Sequence, residues 1–247
     1  MTAARLLFWL TIVLGTAMVL SGDTFEICAG MPKILRYLSR LWPPDFRALP
    51  GLLPALWQTV KIALFGTTLG FLSAIPLAFA ASWNMTQNGA VYLCGRAILL
   101  AMRSIPAMIL GILFVAAVGL GSLAGIMGVW IYSGGVLGKL LSENLEATDP
   151  EIMDAAAIDG ANRFRGYLYI FLPMQANAAL SFLLYRFESS FRQATLLGVA
   201  GAGGLGLELT ASMGLFDYGR TSMIVCIILF VVLSLDLTSR WLRGKVL

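Results

Sequence analysis

Long apolar runs separated by short polar segments dominate this chain and predict membrane-spanning helices. A helix crosses a hydrocarbon core about 30 Å thick with about 20 apolar residues. The apolar runs lie at residues 6–21, 56–82, 93–118, 123–141, 174–199 and 221–242. We therefore expect an all-α polytopic bundle of about six transmembrane helices, forming a single domain over residues 1–247 with its core spans at 56–242.

The N-terminal run and the segment that follows it differ in character. Residues 6–21 have the length of a signal peptide, but no small-x-small cleavage site leads into an independently folding domain, so we predict a retained span. Residues 22–51 are more polar and contain the amphipathic stretch PKILRYLSRLW from Pro32. We expect this stretch to lie along the extracytoplasmic membrane interface.

A polar island at residues 154–173, within a predicted coupling segment at 146–173, separates the fourth and fifth runs. Thr148 stands three residues before Glu151, the spacing of a helix-starting capping box. Gly160 then interrupts the helical pattern, and Pro173 closes a second short amphipathic run. The island predicts a helix, a bend and a second helix at a membrane surface.

The basic residues predict the orientation in the membrane. Cytoplasmic loops carry an excess of Lys and Arg. The N-terminus, the island and the C-terminal tail carry Arg5, Arg163, Arg165, Arg240, Arg243 and Lys245, against Lys33, Arg36, Arg40 and Arg47 in the 22–51 segment. Because six spans place both termini and the island on one side, we expect that side to be cytoplasmic.

Composition narrows the chemistry available to this chain. Hydrophobic residues make up 59% of it and charged residues 12%, about half the roughly 25% of a soluble domain. The net charge of +4 is spread over ends and loops, which gives no nucleic-acid signature. Histidine is absent, and the three cysteines show no paired spacing. We expect no catalytic residue, no metal site and no cofactor bound by this chain.

Two glycine-containing stretches superficially suggest nucleotide binding. Residues 201–206, GAGGLG, fit G-x-G-x-x-G, but this motif binds dinucleotides only after a strand in a βαβ unit. Residues 135–140, GVLGKL, lack the first glycine and the Ser or Thr of a phosphate-binding loop. If ATP drives transport, another subunit holds the ATP.

The island carries a recognisable spacing. Asp154-Ala155-Ala156, Gly160 four residues later, and Ile170, Leu172 and Pro173 resemble the EAA signature, E-A-A-x-x-x-G followed by I-x-L-P, of ABC importer permeases. Asp154 stands in place of the usual glutamate. The resemblance implies an ATPase-coupling element formed by Asp154, Ala155, Ala156, Ala157, Gly160 and Pro173, whose small alanine face packs into a groove on the partner.

The resemblance also implies a fold, partners and a mechanism. The fold is that of a type I ABC importer permease in the bacterial inner membrane, surrounded by lipid. The partners are a cytoplasmic ABC ATPase dimer that binds ATP and Mg²⁺, a second permease copy, identical or paralogous, and a periplasmic or extracellular solute-binding protein. The mechanism is alternating access driven by the partner ATPases.

A narrower resemblance covers residues 103–121, 134–150 and 185–206, which look like the phosphonate-uptake branch of these permeases. Phosphite and hypophosphite importers belong to that branch, and methionine permeases are more distant relatives. The implied solute is a phosphonate, phosphite or hypophosphite anion. Import of methionine or another small solute is the alternative within the class; an ion-coupled secondary transporter or a membrane scaffold is the alternative outside it.

Charged residues inside the spans mark candidate positions on the translocation path. Arg186, Glu188 and Arg192 all fall in the fifth run, and Glu188 and Arg192 are four residues apart, so they share a helix face. Facing lipid costs each about 2.5–3.5 kcal/mol, so they should face the bundle interior. A structural ion pair and a polar lining or gate both remain open, with Glu188 favoured as structural. Arg103, beside Pro106, is a further candidate for the path.

A glycine-rich segment follows the fifth run at residues 198–206 and includes Gly201, Gly203 and Gly204. Irregular backbone at membrane depth is tolerated only where protein or water covers it. We expect a re-entrant turn at the outer mouth, which acts as part of the gate.

Overall fold

The computed structural model describes residues 9–11, 13, 16, 32–33, 35–86, 88–148 and 163–246. Every regular element in these ranges is helical, which confirms the all-α prediction. The longer helices are α1 (Leu49–Ala80), α2 (Gly89–Ser104), α3 (Ala107–Val118), α4 (Ser122–Glu146), α5 (Ala176–Leu197), α6 (Leu205–Gly214) and α7 (Tyr218–Val246). Shorter helical pieces lie at Phe46–Ala48, Trp83–Thr86, Arg163–Gly166, Tyr167–Phe171, Leu172–Met174 and Gly198–Ala202.

Three stretches within these ranges are straight, long and apolar enough to cross a membrane: Phe46–Ala80, Ser122–Glu146 and Tyr218–Leu242. Two bent helix pairs bring the number to five if each pair crosses once. Of the predicted first span, 6–21, only positions 9–11, 13 and 16 are described, and they are helical. The sixth span is therefore a prediction.

The predicted third span, 93–118, is broken rather than continuous. Helix α2 ends at Ser104, and α3 starts at Ala107 after a bend of 83°. Ile105 is extended, with φ −94° and ψ 119°. Pro106 is the physical reason, because it lacks an N–H and pushes the preceding residue out of the helical region. Helix α1, by contrast, continues through Pro76.

The start of the first long helix lies earlier than the apolar pattern indicates. The predicted span begins at residue 56, but a 3₁₀ turn at Phe46–Ala48 leads directly into α1 at Leu49. Asp45 caps this turn, since its carboxylate accepts the N–H of Arg47 at 2.9 Å. The last residues of the predicted interfacial segment, 22–51, therefore belong to the 3₁₀ turn and to α1.

Helices α1 and α4 approach each other closely through small residues. An added Cβ on Gly66 would lie 2.6 Å from Val129 Cβ, and one on Gly134 would lie 2.9 Å from Ser73 Oγ. Such contacts let helix backbones pack tightly in a bilayer, where dispersion replaces the hydrophobic effect between helices. Gly66 and Gly134 therefore serve the packing of these two helices.

The last part of the polar island is anchored to this pair of helices. Tyr167 and Phe171 are each 1% exposed, in a core cluster with Ala78 and Leu137. The Tyr167 hydroxyl donates to the carbonyl of Ile75 on α1 at 3.0 Å. A movement of this segment therefore acts directly on α1 and α4.

Replacing Gly70 with alanine tests the close approach of α1 and α4. The new Cβ would lie 2.8 Å from Ser133 Cβ and 3.0 Å from the backbone N of Gly134, which cannot turn away. We expect Gly70→Ala to destabilise the protein by about 1–3 kcal/mol, although alanine is the better helix former, and to lower the thermal midpoint in detergent by several degrees.

Gly51→Ala is the matched control, because no atom lies within 4 Å of a Cβ placed there on the same helix. This control should be neutral or stabilising by up to about 1 kcal/mol. Equal midpoints for the two variants would contradict tight packing at Gly70.

Candidate functional site

Arg186, on α5, is enclosed by polar and aromatic groups from α4 and α5. It is 4% exposed. Its Nε donates to Ser133 Oγ at 3.0 Å, and its Nη2 donates to Gln193 Oε1 at 2.7 Å. The guanidinium also lies over the ring of Tyr132, 4.8 Å from the centroid. Groups of the protein thus already bind the guanidinium of Arg186 through two hydrogen bonds and a cation–π contact. This arrangement is typical of a structural arginine.

Arg192 lies in a different setting one and a half turns further along α5. Its Nη1 is 2.7 Å from Glu188 Oε1, so the predicted four-residue pair is present. The Glu188 side chain is 10% exposed and the Arg192 side chain 47% exposed. A buried carboxylate therefore holds an outward-facing guanidinium, whose other N–H donors are available for an anion.

The surface around Arg192 is largely apolar. Helix α3 exposes Met108, Ile109, Ile112 and Leu113, and α5 exposes Tyr185 and Leu196. A crevice of about 210 Å³ opens at the α2–α3 bend between Pro106, Tyr132 and Gln193. Because Tyr132 and Gln193 also contact Arg186, the crevice joins the exposed face to the enclosed polar cluster.

The predicted irregular backbone of the glycine-rich segment is also present. Gly201, Gly203 and Gly204 have φ values of 101°, 87° and 72°, in the left-handed region that favours glycine. An added Cβ on Gly203 would overlap Gln58, and one on Gly204 would overlap the Thr59 hydroxyl. The gate role of this turn remains a prediction.

Side chains of α1 satisfy the backbone of this turn. The N–H of Gly204 donates to Gln58 Oε1 at 3.1 Å, and the N–H of Leu205 donates to Thr59 Oγ1 at 2.9 Å. These two bonds supply the start of α6 with the acceptors that a local capping side chain would give. Sequence reasoning missed Gln58 and Thr59; the available signal was two adjacent polar residues in an apolar run.

Arg103 lines a different cleft from Arg186 and Arg192. It lies in the last turn of α2, beside Lys139 of α4 and Arg96. Arg96 forms an ion pair with Glu146 at 2.6 Å. The structure therefore separates the four charged residues predicted for the path into two groups, and the role of Arg103 in the path remains a prediction.

The coupling residues Asp154, Ala155, Ala156, Ala157 and Gly160 lie outside the described residues, as does the capping-box residue Glu151. Pro173 lies in the short helix Leu172–Met174, just before a 70° bend into α5. The described residues on either side of the gap are bonded together. Asn144 Nδ2 donates to Gln175 Oε1 at 2.8 Å, and Gln175 Nε2 donates to Thr148 Oγ1 at 3.0 Å.

Residues 66–247 match the family model described as "Binding-protein-dependent transport system inner membrane component". The chain is 33% identical over 221 residues to the phosphite transport system permease protein PtxC of Stutzerimonas stutzeri, covering 90% of this chain and 80% of that protein. It is also 33% identical over 216 residues to the phosphate-import permease protein PhnE of Mycolicibacterium smegmatis, covering 87% of this chain and 40% of that protein.

Solved structures show the same fold. An inward-facing conformation of the MetNI methionine ABC transporter aligns with a TM-score of 0.71 at 19% identity, over 82% of this chain and 99% of that chain. An amino acid ABC transporter crystallised with histidines aligns with a TM-score of 0.64 at 18% identity, over 81% and 98% of the two chains. These likenesses establish the architecture expected from the sequence.

The two arginines of α5 should respond differently to mutation. Arg186→Ala removes a buried group and leaves Ser133 and Gln193 without their donor, so we expect a loss of about 2–4 kcal/mol in unfolding free energy. Arg192→Gln removes a half-exposed charge but keeps an N–H donor for the buried Glu188 carboxylate, and we expect about 1 kcal/mol or less. Thermal unfolding in detergent measures both, and a larger loss for Arg192→Gln would contradict the structural assignment of Arg186.

Proposed function

Because this chain belongs to the family of binding-protein-dependent transport system inner membrane components and is the permease component of an ABC importer, we propose that it forms the path of a small phosphorus oxyanion. The solute class is phosphite, phosphonate or hypophosphite. Relatives named for phosphite and phosphonate transport support this class. The observation that carries the proposal is the half-exposed Arg192, held by Glu188 on α5. The same helix lines the crevice at the α2–α3 bend with Gln193 and Leu196.

The chemistry of Arg192 fits a small oxyanion. A guanidinium presents planar N–H donors that match the oxygens of phosphorus and carboxyl acids. Glu188 already accepts a hydrogen bond from Nη1 of Arg192. An arriving anion therefore shares the positive charge of Arg192 with the Glu188 carboxylate. A path must bind its solute weakly enough to release it, and this shared charge provides weak binding.

The exposed face of α3 and α5 is the proposed meeting surface of two permease copies, identical or paralogous. It is apolar except around Arg192 and the crevice. The solute then passes between the copies after release from a solute-binding protein on the outer side. Both termini and residues 149–162 are on the cytoplasmic side in this arrangement.

Force from the partner ATPases reaches the path through the ends of α4 and α5. Residues 149–162 contain the proposed coupling helix, and the bonds among Asn144, Thr148 and Gln175 tie its two flanks together. A push on the coupling helix then moves the start of α5 together with the end of α4. This chain carries out no chemistry on ATP or on the solute.

Uptake by the reconstituted complex tests the proposed solute and energy source. Proteoliposomes that contain the permease, its ATPase and its binding protein should accumulate labelled phosphite or methylphosphonate only with ATP. Unlabelled methionine should not compete. ATP-independent accumulation would indicate a secondary transporter, and competition by methionine alone would overturn the solute class.

Arg192→Gln should lower this uptake by about tenfold or more, because it removes the charge that meets the anion. The thermal midpoint should stay nearly unchanged, because the glutamine amide can still donate a hydrogen bond to the buried Glu188 carboxylate. Arg240→Gln is the matched control. Arg240 also pairs four residues away, with Asp236, but on α7 and with a 69% exposed side chain. Wild-type uptake by Arg192→Gln would remove this residue from the path.

Asp154→Ala tests the coupling element. We expect the variant to assemble with the ATPase but to lose most of the ATP hydrolysis that the loaded binding protein stimulates, because the carboxylate no longer holds the ATPase surface. Co-purification measures assembly, and phosphate release measures hydrolysis. If the loaded binding protein still stimulates ATP hydrolysis normally, the contact with the ATPase depends on the alanine face, Ala155 to Ala157, alone.

A further inference from the structure

A second basic site lies between α2 and α4, in the cleft that contains Arg103. The cleft has a volume of about 340 Å³, within the range of about 300–1,000 Å³ for ligand pockets. Three cations line it: Arg96, Arg103 and Lys139. None of them belongs to the cluster around Arg186 and Arg192.

The charges in this cleft are incompletely balanced. Arg96 pairs with Glu146 at 2.6 Å, and Lys139 pairs with Glu143 at 3.3 Å. Arg103 has no acidic partner among the residues that the structure describes. A cation without a counter-charge is costly at membrane depth, so the cleft favours an anionic ligand.

The walls of the cleft are apolar and open outward. Leu93 and Leu100 line it and are 67% and 54% exposed. At the level of Arg103 the helices close together, since an added Cβ on Gly135 would lie 3.0 Å from the Arg103 backbone N. Apolar walls and a closed end suit a ligand with a charged head and hydrocarbon chains better than they suit a passage for a free ion.

The position along the helices also matches a lipid headgroup. Arg96 bonds to Glu146, the last residue of α4, and Arg103 lies seven residues further along α2, a rise of about 10 Å. The long side chains of Arg103 and Lys139 can reach back toward the membrane surface. In the orientation proposed above this surface is cytoplasmic, where anionic lipids collect.

We infer that the cleft between α2 and α4 binds the phosphate headgroup of an anionic phospholipid of the cytoplasmic leaflet. Arg103 and Lys139 contact the phosphate, and Leu93 and Leu100 contact the acyl chains. The lipid braces α2 against α4 below the bend at Pro106. The inference rests on the proposed function only for the side of the membrane.

Native mass spectrometry of the complex, released from nanodiscs of equimolar phosphatidylglycerol and phosphatidylcholine, tests this site. The wild type should retain phosphatidylglycerol in preference to phosphatidylcholine by about tenfold. Arg103→Gln should reduce the preference to about twofold or less. Lys139→Gln, at a 39% exposed side chain, should weaken it too and serves if Arg103→Gln fails to assemble.

Arg240→Gln is the matched control, because it removes one positive charge near the same membrane surface but outside the cleft. It should retain the wild-type preference. Equal retention of the two lipids by the wild type, or unchanged retention by both cleft variants, would overturn the inference.

Free phosphite separates a lipid site from a solute site. Added at millimolar concentration, it should not displace the retained phosphatidylglycerol, and displacement would assign the cleft to the solute instead. Lipid retention requires no transport. A failure of ATP-driven phosphite uptake is therefore distinguishable from a failure of this site.

Discussion

The absence of water in the bilayer core is the constraint on which this structure depends, because backbone polar groups and charges there need partners within the protein. The backbone N–H groups of Gly204 and Leu205 find theirs on α1, in the side chains of Gln58 and Thr59. Arg186 finds its partners in Ser133 and Gln193. The irregular backbone of the glycine-rich turn and the buried Arg186 therefore occur where side chains of the bundle already supply the complementary atoms.

Close packing of α1 against α4 provides the rigid part around which the other helices bend. Glycines remove the side chains that would separate the two backbones, and dispersion across the interface replaces the missing hydrophobic driving force. The breaks lie elsewhere, at Pro106 and at Gln175. Because Asn144 and Thr148 bond to Gln175, the second break is tied to the end of α4. The start of α5, the helix on which Arg186 and Arg192 lie, is therefore bonded to the end of α4.

Patterns local in sequence were predictable, and pairings distant in sequence were not. Apolar runs predict where α4 and α7 lie, Pro106 predicts a break, and four-residue spacing predicts the Glu188–Arg192 pair. The bond between Gln58 and Gly204 joins residues 146 positions apart, so nothing local specifies it. The early start of α1 depends on the Asp45 cap, which outweighs the polar character of the preceding residues. Likewise, only tertiary packing distinguishes an enclosed Arg186 from an exposed Arg192.

Helical geometry explains how one helix carries two arginines with different roles. At about 100° per residue, Arg186 and Gln193 lie on one face of α5, whereas Glu188 and Arg192 lie together on another. The first face meets Ser133 of α4, which is fully buried. The guanidinium of Arg186 therefore bonds to groups within the protein. The second face reaches the surface, where Glu188 restrains Arg192 without enclosing it. The proposed function uses both conditions: Arg186 anchors the bundle and keeps its partners, whereas Arg192 is proposed to bind the solute and to release it in every cycle.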